Sequence, residues 1–503
     1  MSLSRRDFLR LSSLATALTA TAGCRTIGRQ IASGDLPTTI PTPPTLNTTT
    51  TPTTTTTDPL QRFLHRAGFG PRPGDYHQAA QLGLPAYLEQ QLDHLNIDNT
   101  ATDLMIANLD HYHMDASQLA SADEHDVIQD LLKARIRYAL YSKRQLYEVM
   151  VEFWSDHFSI FLRKNKQMPM LKTIDDRDVI RPHALGKFRD LLFASAQSPA
   201  MLVYLDNIRN IKTEPNENYA RELLELHTLG VTAGYTQQDV QEVARAFTGW
   251  TTQRRRGQFQ FREQLHDNGR KQILDLTLMP GQGQNDGFKL LEMLATHPST
   301  AHFIATKLVR RFVADEPPTD LVTQVAQTFL DSDGDIKSML RLIFLSPHFA
   351  AAPPKLKRPL TFTISTLRAL HADVADERQI IRWAGLMGQQ PFMWPAPDGY
   401  PDVSTAWTNN LLARWNFSLL TSLGRLPGVT IPFEKLAAAG QVNTTSAALT
   451  FLSGLIWGRA LTAAETTLFT DYIGDTPFNQ PATRQKILDC AGLMLAVPQF
   501  QWT

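Results

Sequence analysis

Beyond residue 60, apolar side chains recur at three- and four-residue spacing along most of the chain, the pattern of helices that bury one face. This spacing predicts helices over 81–95, 127–160, 182–195, 218–229, 237–247, 300–313, 321–330 and 336–346, and further ones over 360–371, 377–387, 406–423 and across 447–496. Period-two alternation is confined to 257–261 and 272–276, which read together as one hairpin-like insertion. No fixed-length repeat marks a solenoid. The expected fold is mainly α: a large multi-helix globular body, residues 60–503, with a small β-hairpin insertion.

The first 59 residues follow different rules. Ser4-Arg5-Arg6-Asp7-Phe8-Leu9-Arg10 has the twin-arginine form, and the apolar run over 11–22 is too short and too rich in Ser and Thr to span a bilayer. Residues 1–23 therefore read as a signal peptide, with the twin-arginine translocation machinery as partner. That route carries proteins that fold before crossing, often around a cofactor, so a divalent metal ion becomes a candidate. Thr21-Ala22-Gly23-Cys24 resembles a lipoprotein cleavage box, with Thr21 where that pattern has Leu. Lipidation of Cys24 is expected, giving an exported protein of the periplasm or cell surface whose membrane contact is the lipid anchor alone. Residues 24–59 end in a run of Thr and Pro that offers too little apolar surface to offset the entropy of ordering, and they read as a disordered tether.

Composition sharpens this picture. The 503 residues carry 49 basic and 49 acidic side chains, which gives no support to nucleic-acid binding. Loss of the leader removes three arginines and one aspartate and leaves the mature chain net negative. Two cysteines exclude a disulfide scaffold, a four-thiolate zinc site and a cysteine-ligated iron–sulfur cluster. Cys490 falls in an apolar C-terminal helix and is expected to be buried.

Three stretches carry candidate chemistry. In 215–230, Glu222 and Glu225 project together from one helix face, as ligands of a single cation or as an ion-pair network with Arg221 and Arg245. His227, among leucines, reads as a hydrogen-bonded core histidine. In 148–158, Glu148, Glu152 and Asp156 form a stripe of the kind that is usually solvated. His157 sits on the other side, among Met150, Phe153 and Trp154, where it needs a polar partner or a metal. His266-Asp267-Asn268-Gly269 reads as a tight turn or, functionally, as an exposed base with its orienting carboxylate. Ser299 or Thr300 is the expected cap of the helix after His297. Asp331–Asp335 fails as a calcium loop and places Asp335 as a helix cap. The aromatic, proline-rich run 388–401 is too long for a simple turn and has the character of a site-lining loop.

Taken in order, His65-Arg66-Ala67-Gly68-Phe69-Gly70-Pro71, Phe153-Trp154-Ser155-Asp156-His157-Phe158, Met201–Asn207, 216–230, 235–250, His266–Gly269, Ser346-Pro347-His348-Phe349 and 394–400 resemble the bacterial family called domain of unknown function 1800. The resemblance implies twin-arginine export and a second exported protein of unknown function as partner, and it brings no activity. Many members have a histidine two positions, and an asparagine one position, before the residue matching His157. Here these are Ser155 and Asp156, which speaks against a metal site built on that pair.

Two functional readings stand. The first is a metal-assisted exported enzyme, a hydrolase or oxidoreductase, with His157, Glu222 and Glu225 as metal ligands and His266 and Asp267 as catalytic groups. The second is a non-catalytic binding or assembly protein on a Thr/Pro stalk, acting with an exported partner or envelope polysaccharide.

Overall fold

The structure is a computed structural model that describes residues 58–253 and 256–503. The leader, Cys24 and the Thr/Pro run lie outside the described residues. The first described helix, α1 (Pro59–Arg66), starts where that run ends: the Asp58 carboxylate accepts from Leu60 N at 3.1 Å, and Pro59 occupies the first turn. Its two arginines turn inward onto carbonyls that other helices leave open. Arg62 donates to the carbonyls of Phe349 and Ala350, and Arg66 to those of Phe312 and Val313.

The expected helix over 127–160 is two helices, α2 (Glu124–Tyr141) and α3 (Gln145–His157). The break at 142–144 is held from outside: Lys143 N donates to the Asn99 side chain at 3.1 Å and Arg144 Nη2 to the Ile97 carbonyl at 3.0 Å. Periodicity continues across the break because both helices bury their apolar faces in the same core. The expected helix over 218–229 is a short α-helix, α4 (Asn218–Glu222), that widens into a π-turn, Leu223–His227. Such turns insert an extra residue and are frequent at functional sites. The turn closes at Gly230 (φ 82°), where a Cβ would lie 2.9 Å from the ring of Phe303.

The β structure is two hairpins rather than one. β1 (Trp250–Gln253) pairs with β2 (Gln258–Phe261), and β3 (Lys271–Ile273) with β4 (Leu276–Leu278), both antiparallel. The two expected strand segments do not pair with each other; each closes on its nearest sequence neighbour, the shorter loop. A two-residue ribbon, Asp373–Val374 with Val429–Thr430, ties distant parts of the chain.

Helix α5 (Pro298–Phe312) starts earlier than expected, with the His297 ring accepting from Ser299 N at 3.0 Å. Asp335 caps Ile336–Leu345 as expected. Then follow α6 (Pro359–Ala369), α7 (Arg378–Leu386), the loop 388–402, α8 (Leu411–Ser422) and α9 (Pro481–Ala496), the last packed along α8. Cys490 is fully buried in α9, and burial pushes its thiol up to about 12. One apolar core runs from Phe63 to Phe500, so residues beyond 60 form a mainly helical body with small hairpins, as the pattern predicts. Among the described residues no helix is long and apolar enough to cross a membrane.

Candidate functional site

The carboxylate stripe on α3 is not a solvated face. Glu148, Glu152 and Asp156 point into the protein, and each meets an arginine from another element. Glu148, 1 % exposed, faces Arg181 at 3.1 Å and Arg135 at 3.9 Å. Glu152 accepts from Arg311 of α5 at 2.8 Å and from Gln389 at 3.2 Å, with Arg358 at 3.9 Å. Asp156 pairs with Arg358, the residue before α6. Burial holds the Asp156 carboxyl above its usual range, and the Arg358 guanidinium works against that rise. Paired in this way, a stripe that repeats every four residues becomes a ladder through the core.

His157 lies at the end of this ladder, packed edge-on to Trp154 and Phe158 and 1 % exposed. Its Nε2–H donates to the His227 carbonyl at 3.1 Å, and its Nδ1 accepts from Lys307 Nζ at 2.9 Å. Burial, and then the neighbouring Lys307 charge, hold the imidazole well below its ordinary pKa, so it is neutral. Both ring nitrogens are therefore engaged, one of them by an ammonium group, which does not fit His157 to the role of metal ligand. His227, turned inward by the π-turn, is a core histidine, but its buried Nε2 has no hydrogen-bond partner among the described residues, so the expected hydrogen bonding is not met there. Its ring centre is 6.1 Å from that of His157, and burial followed by the Lys307 charge lowers it to about 3.

Glu222 and Glu225 do not join His157 as a cage; among the described residues no three His, Cys, Asp or Glu side chains group as a metal site. Arg221 reaches Glu225 at 3.6 Å and Glu217 at 3.1 Å. Arg245, the other cation expected in that network, is elsewhere, held by Glu242 and Asp267. Among the described residues Glu222 has no ion-pair partner of its own. Its carboxyl is raised by burial and then by the charge of Glu225, with Arg221 lowering it and Asp398 adding a smaller rise.

Asp398 comes from the loop 388–402, which is seated on the end of α3. At Gly399 (φ 74°) a Cβ would fall 2.1 Å from the Asp156 carbonyl, so only glycine permits this approach. Tyr204 donates to the Pro395 carbonyl at 2.8 Å, and Trp394 Nε1 donates to Asp398 at 2.7 Å. Held there, Asp398 acts on both Glu222 and Lys307. Burial lowers the Lys307 amine to about 8, with Asp156, Asp402 and Asp398 limiting the fall. The half-buried Trp394 packs on Tyr400 (ring centres 5.1 Å apart), and Tyr400 also lines a cavity of about 400 Å3 with Arg382, Gln390 and Met393. The Glu222 carboxyl is raised and the Lys307 amine lowered toward neutrality, and Asp398 is among the charges acting on each.

His266 and Asp267 are not a pair. Asp267 faces Arg245 at 2.8 Å and accepts from Gly269 N at 2.8 Å; the arginine bond holds it at about 2. His266 is 1 % exposed rather than on a rim, with Nδ1 against the Thr248 carbonyl at 2.8 Å and Nε2 3.2 Å from Asp286. Lys271 closes the group at 2.7 Å from Asp286. The turn reading of this stretch fits the structure, and the orienting carboxylate is Asp286, 20 residues away.

The sequence reading passed over Lys307, Asp398 and Arg358. Lys307 and Arg311 lie one helical turn apart on α5 and match His157 and Glu152, but the cations of a helix name no partner by themselves. It also passed over a cleft of about 520 Å3, where His111 Nδ1 lies 2.8 Å from Asp130.

Residues 62–502 match a family model described as protein of unknown function (DUF1800). No curated protein and no solved structure matches the chain.

Proposed function

The chain belongs to the DUF1800 family, which brings no activity with it, and we propose that it is an exported envelope protein that hydrolyses envelope polysaccharide with Glu222 as base and Lys307 as acid. Arg5-Arg6, the short apolar run and the Thr/Pro stretch support export and tethering, with Cys24 as the lipid attachment point. The observation that carries the chemistry is the seating of loop 388–402 on α3 through Gly399, which sets Asp398 among the groups acting on both Glu222 and Lys307. Glu222 takes a proton from water as the water oxygen bonds to the sugar carbon. The bond to the leaving oxygen breaks, and the Lys307 ammonium supplies that oxygen with a proton. His157 holds Lys307 in place as a neutral acceptor. In this reading the acid is an ammonium group, and a divalent ion is not required. Trp394, half-buried beside Tyr400, offers a flat apolar face of the kind on which sugar rings stack.

The same tryptophan favours the second reading, a non-catalytic polysaccharide binder on a stalk, acting with an exported partner. One experiment separates the two. Cells carrying the Arg5→Lys, Arg6→Lys double variant are expected to retain the protein in the cytoplasm, whereas the wild type is recovered from the envelope. The exported protein, incubated with isolated envelope polysaccharide, is expected to release reducing ends, and Trp394→Ala to weaken binding about fivefold or more, since truncating an aromatic residue that anchors a ligand costs about 1 kcal/mol or more. Binding without release of reducing ends would replace hydrolysis by the binding role; neither binding nor release would remove both.

A further inference from the structure

Lys357 and Arg358 are neighbours with opposite fates. Arg358 finds Asp156 and Glu152. Lys357, 4 % exposed, lies 3.5 Å above the ring of Phe500, and its ammonium has no hydrogen-bond partner. Beside it is Arg414 of α8, 0 % exposed. Arg414 donates from Nη2 to the Lys357 carbonyl at 2.8 Å and from Nε to Asn410 Oδ1 at 2.6 Å, while its Nη1 has no partner. The buried Nδ1 of His65, on α1, is also unpartnered. The charges acting on these groups are cationic: Arg414 on Lys357, and Lys357 with Arg66 on His65. No carboxylate among the described residues is set against Lys357, Arg414 or His65.

This is unlike the buried arginines of the ladder, each of which faces a carboxylate. An arginine does not give up its proton in a protein, and a buried guanidinium without a counter-charge costs several kcal/mol. Water can satisfy its N–H groups but cannot neutralise it. The π faces of Phe362, 5.0 Å from Arg414, and of Phe500 offset only a part of that cost. A lysine can shed its charge, and burial does drive Lys357 well below its usual pKa. Arg414 has no such escape.

We propose that the unpartnered Lys357 ammonium and Arg414 guanidinium, next to His65, form an internal site for a small inorganic anion, a halide or a compact oxyanion. The bound ion gives Lys357 a reason to stay charged and joins α1, α6, α8 and the C-terminal Phe500 into one unit.

The test uses the whole mature chain. Thermal unfolding is followed at constant ionic strength while sodium gluconate is replaced by sodium chloride, and separately by sodium phosphate. The midpoint is expected to rise by about 2–4 °C along a saturable curve with at least one of the two anions. Lys357→Met is expected to abolish the saturable part and leave only the weak trend common to any salt. A wild-type midpoint that does not saturate with either anion, or the same saturable curve in Lys357→Met, overturns the proposal. Should Lys357→Met not fold, crystals of the wild type soaked in bromide decide: an anomalous peak within about 4 Å of Lys357 Nζ and Arg414 Nη1 supports the site, and its absence overturns it.

Discussion

Glu222→Gln is expected to lower polysaccharide hydrolysis by about 10²–10⁴-fold, the usual worth of a positioned general base, with little change in melting temperature. The amide keeps the size and most of the packing of the carboxyl but cannot take a proton from water. Glu222 makes no ion pair of its own, so the substitution breaks no bridge. The raised carboxyl also sets the shape of the wild-type profile. Activity is lost as pH falls through the Glu222 pKa, where the base becomes protonated, and as pH rises through about 8, where Lys307 gives up its proton. Glu225→Gln serves as the companion variant. Its removal takes a negative neighbour from Glu222, so the acidic limb should move to lower pH while the alkaline limb stays near 8. Unchanged release of reducing ends in Glu222→Gln would remove Glu222 from the chemistry.

Arg358→Met is expected to cost about 1–3 kcal/mol of stability, because it leaves the mostly buried Asp156 carboxylate, its side chain 21 % exposed, without its bonded counter-charge. Glu152 keeps Arg311, but Asp156 loses its bonded arginine and keeps only the weaker, more distant charge of Arg311. The sign of the pH dependence follows from the direction of the shift. With Arg358 gone, burial drives the Asp156 carboxyl further above its unfolded value, so the folded state binds the extra proton. The deficit is then smallest at low pH and grows as pH rises through the folded pKa. Denaturant unfolding at pH 4.5 and 7.5 should show this, and adding Asp156→Asn to Arg358→Met should recover part of the loss at the higher pH. A deficit that does not depend on pH would mean that Asp156 is solvated and the ladder is not buried.

The sequence carries much of this molecule and withholds specific parts of it. Helical periodicity finds nearly every long helix because the apolar faces repeat on the period of the backbone. It runs 127–160 together as one helix because the break at 142–144 depends on Asn99 and Ile97, which periodicity does not register. The π-turn at Leu223–His227 is hidden for a related reason, since one extra residue rotates His227 inward without altering the local composition. The carboxylate stripe has the spacing of a solvated face, and only Arg135, Arg181, Arg311 and Arg358 on other elements make it internal. His266 finds Asp286 rather than adjacent Asp267 for the same reason: adjacent side chains in a turn diverge, while a distant one can be aimed. The site region of 215–230, His157 and the aromatic loop was legible as unusual sequence. Lys307, the proposed acid that His157 holds, was not, because a lysine in a helix names no partner until the helices are packed.

The claim on which the account depends is that Lys307 is tuned toward neutrality by its burial. Competitive acetylation of the intact protein with acetic anhydride across pH 6 to 11, read peptide by peptide by mass spectrometry, measures the titration of that one amine. The account predicts half-maximal reactivity at about pH 8 for Lys307. A Lys307 that titrates at the ordinary value for lysine, about 10.4, would contradict the acid–base site.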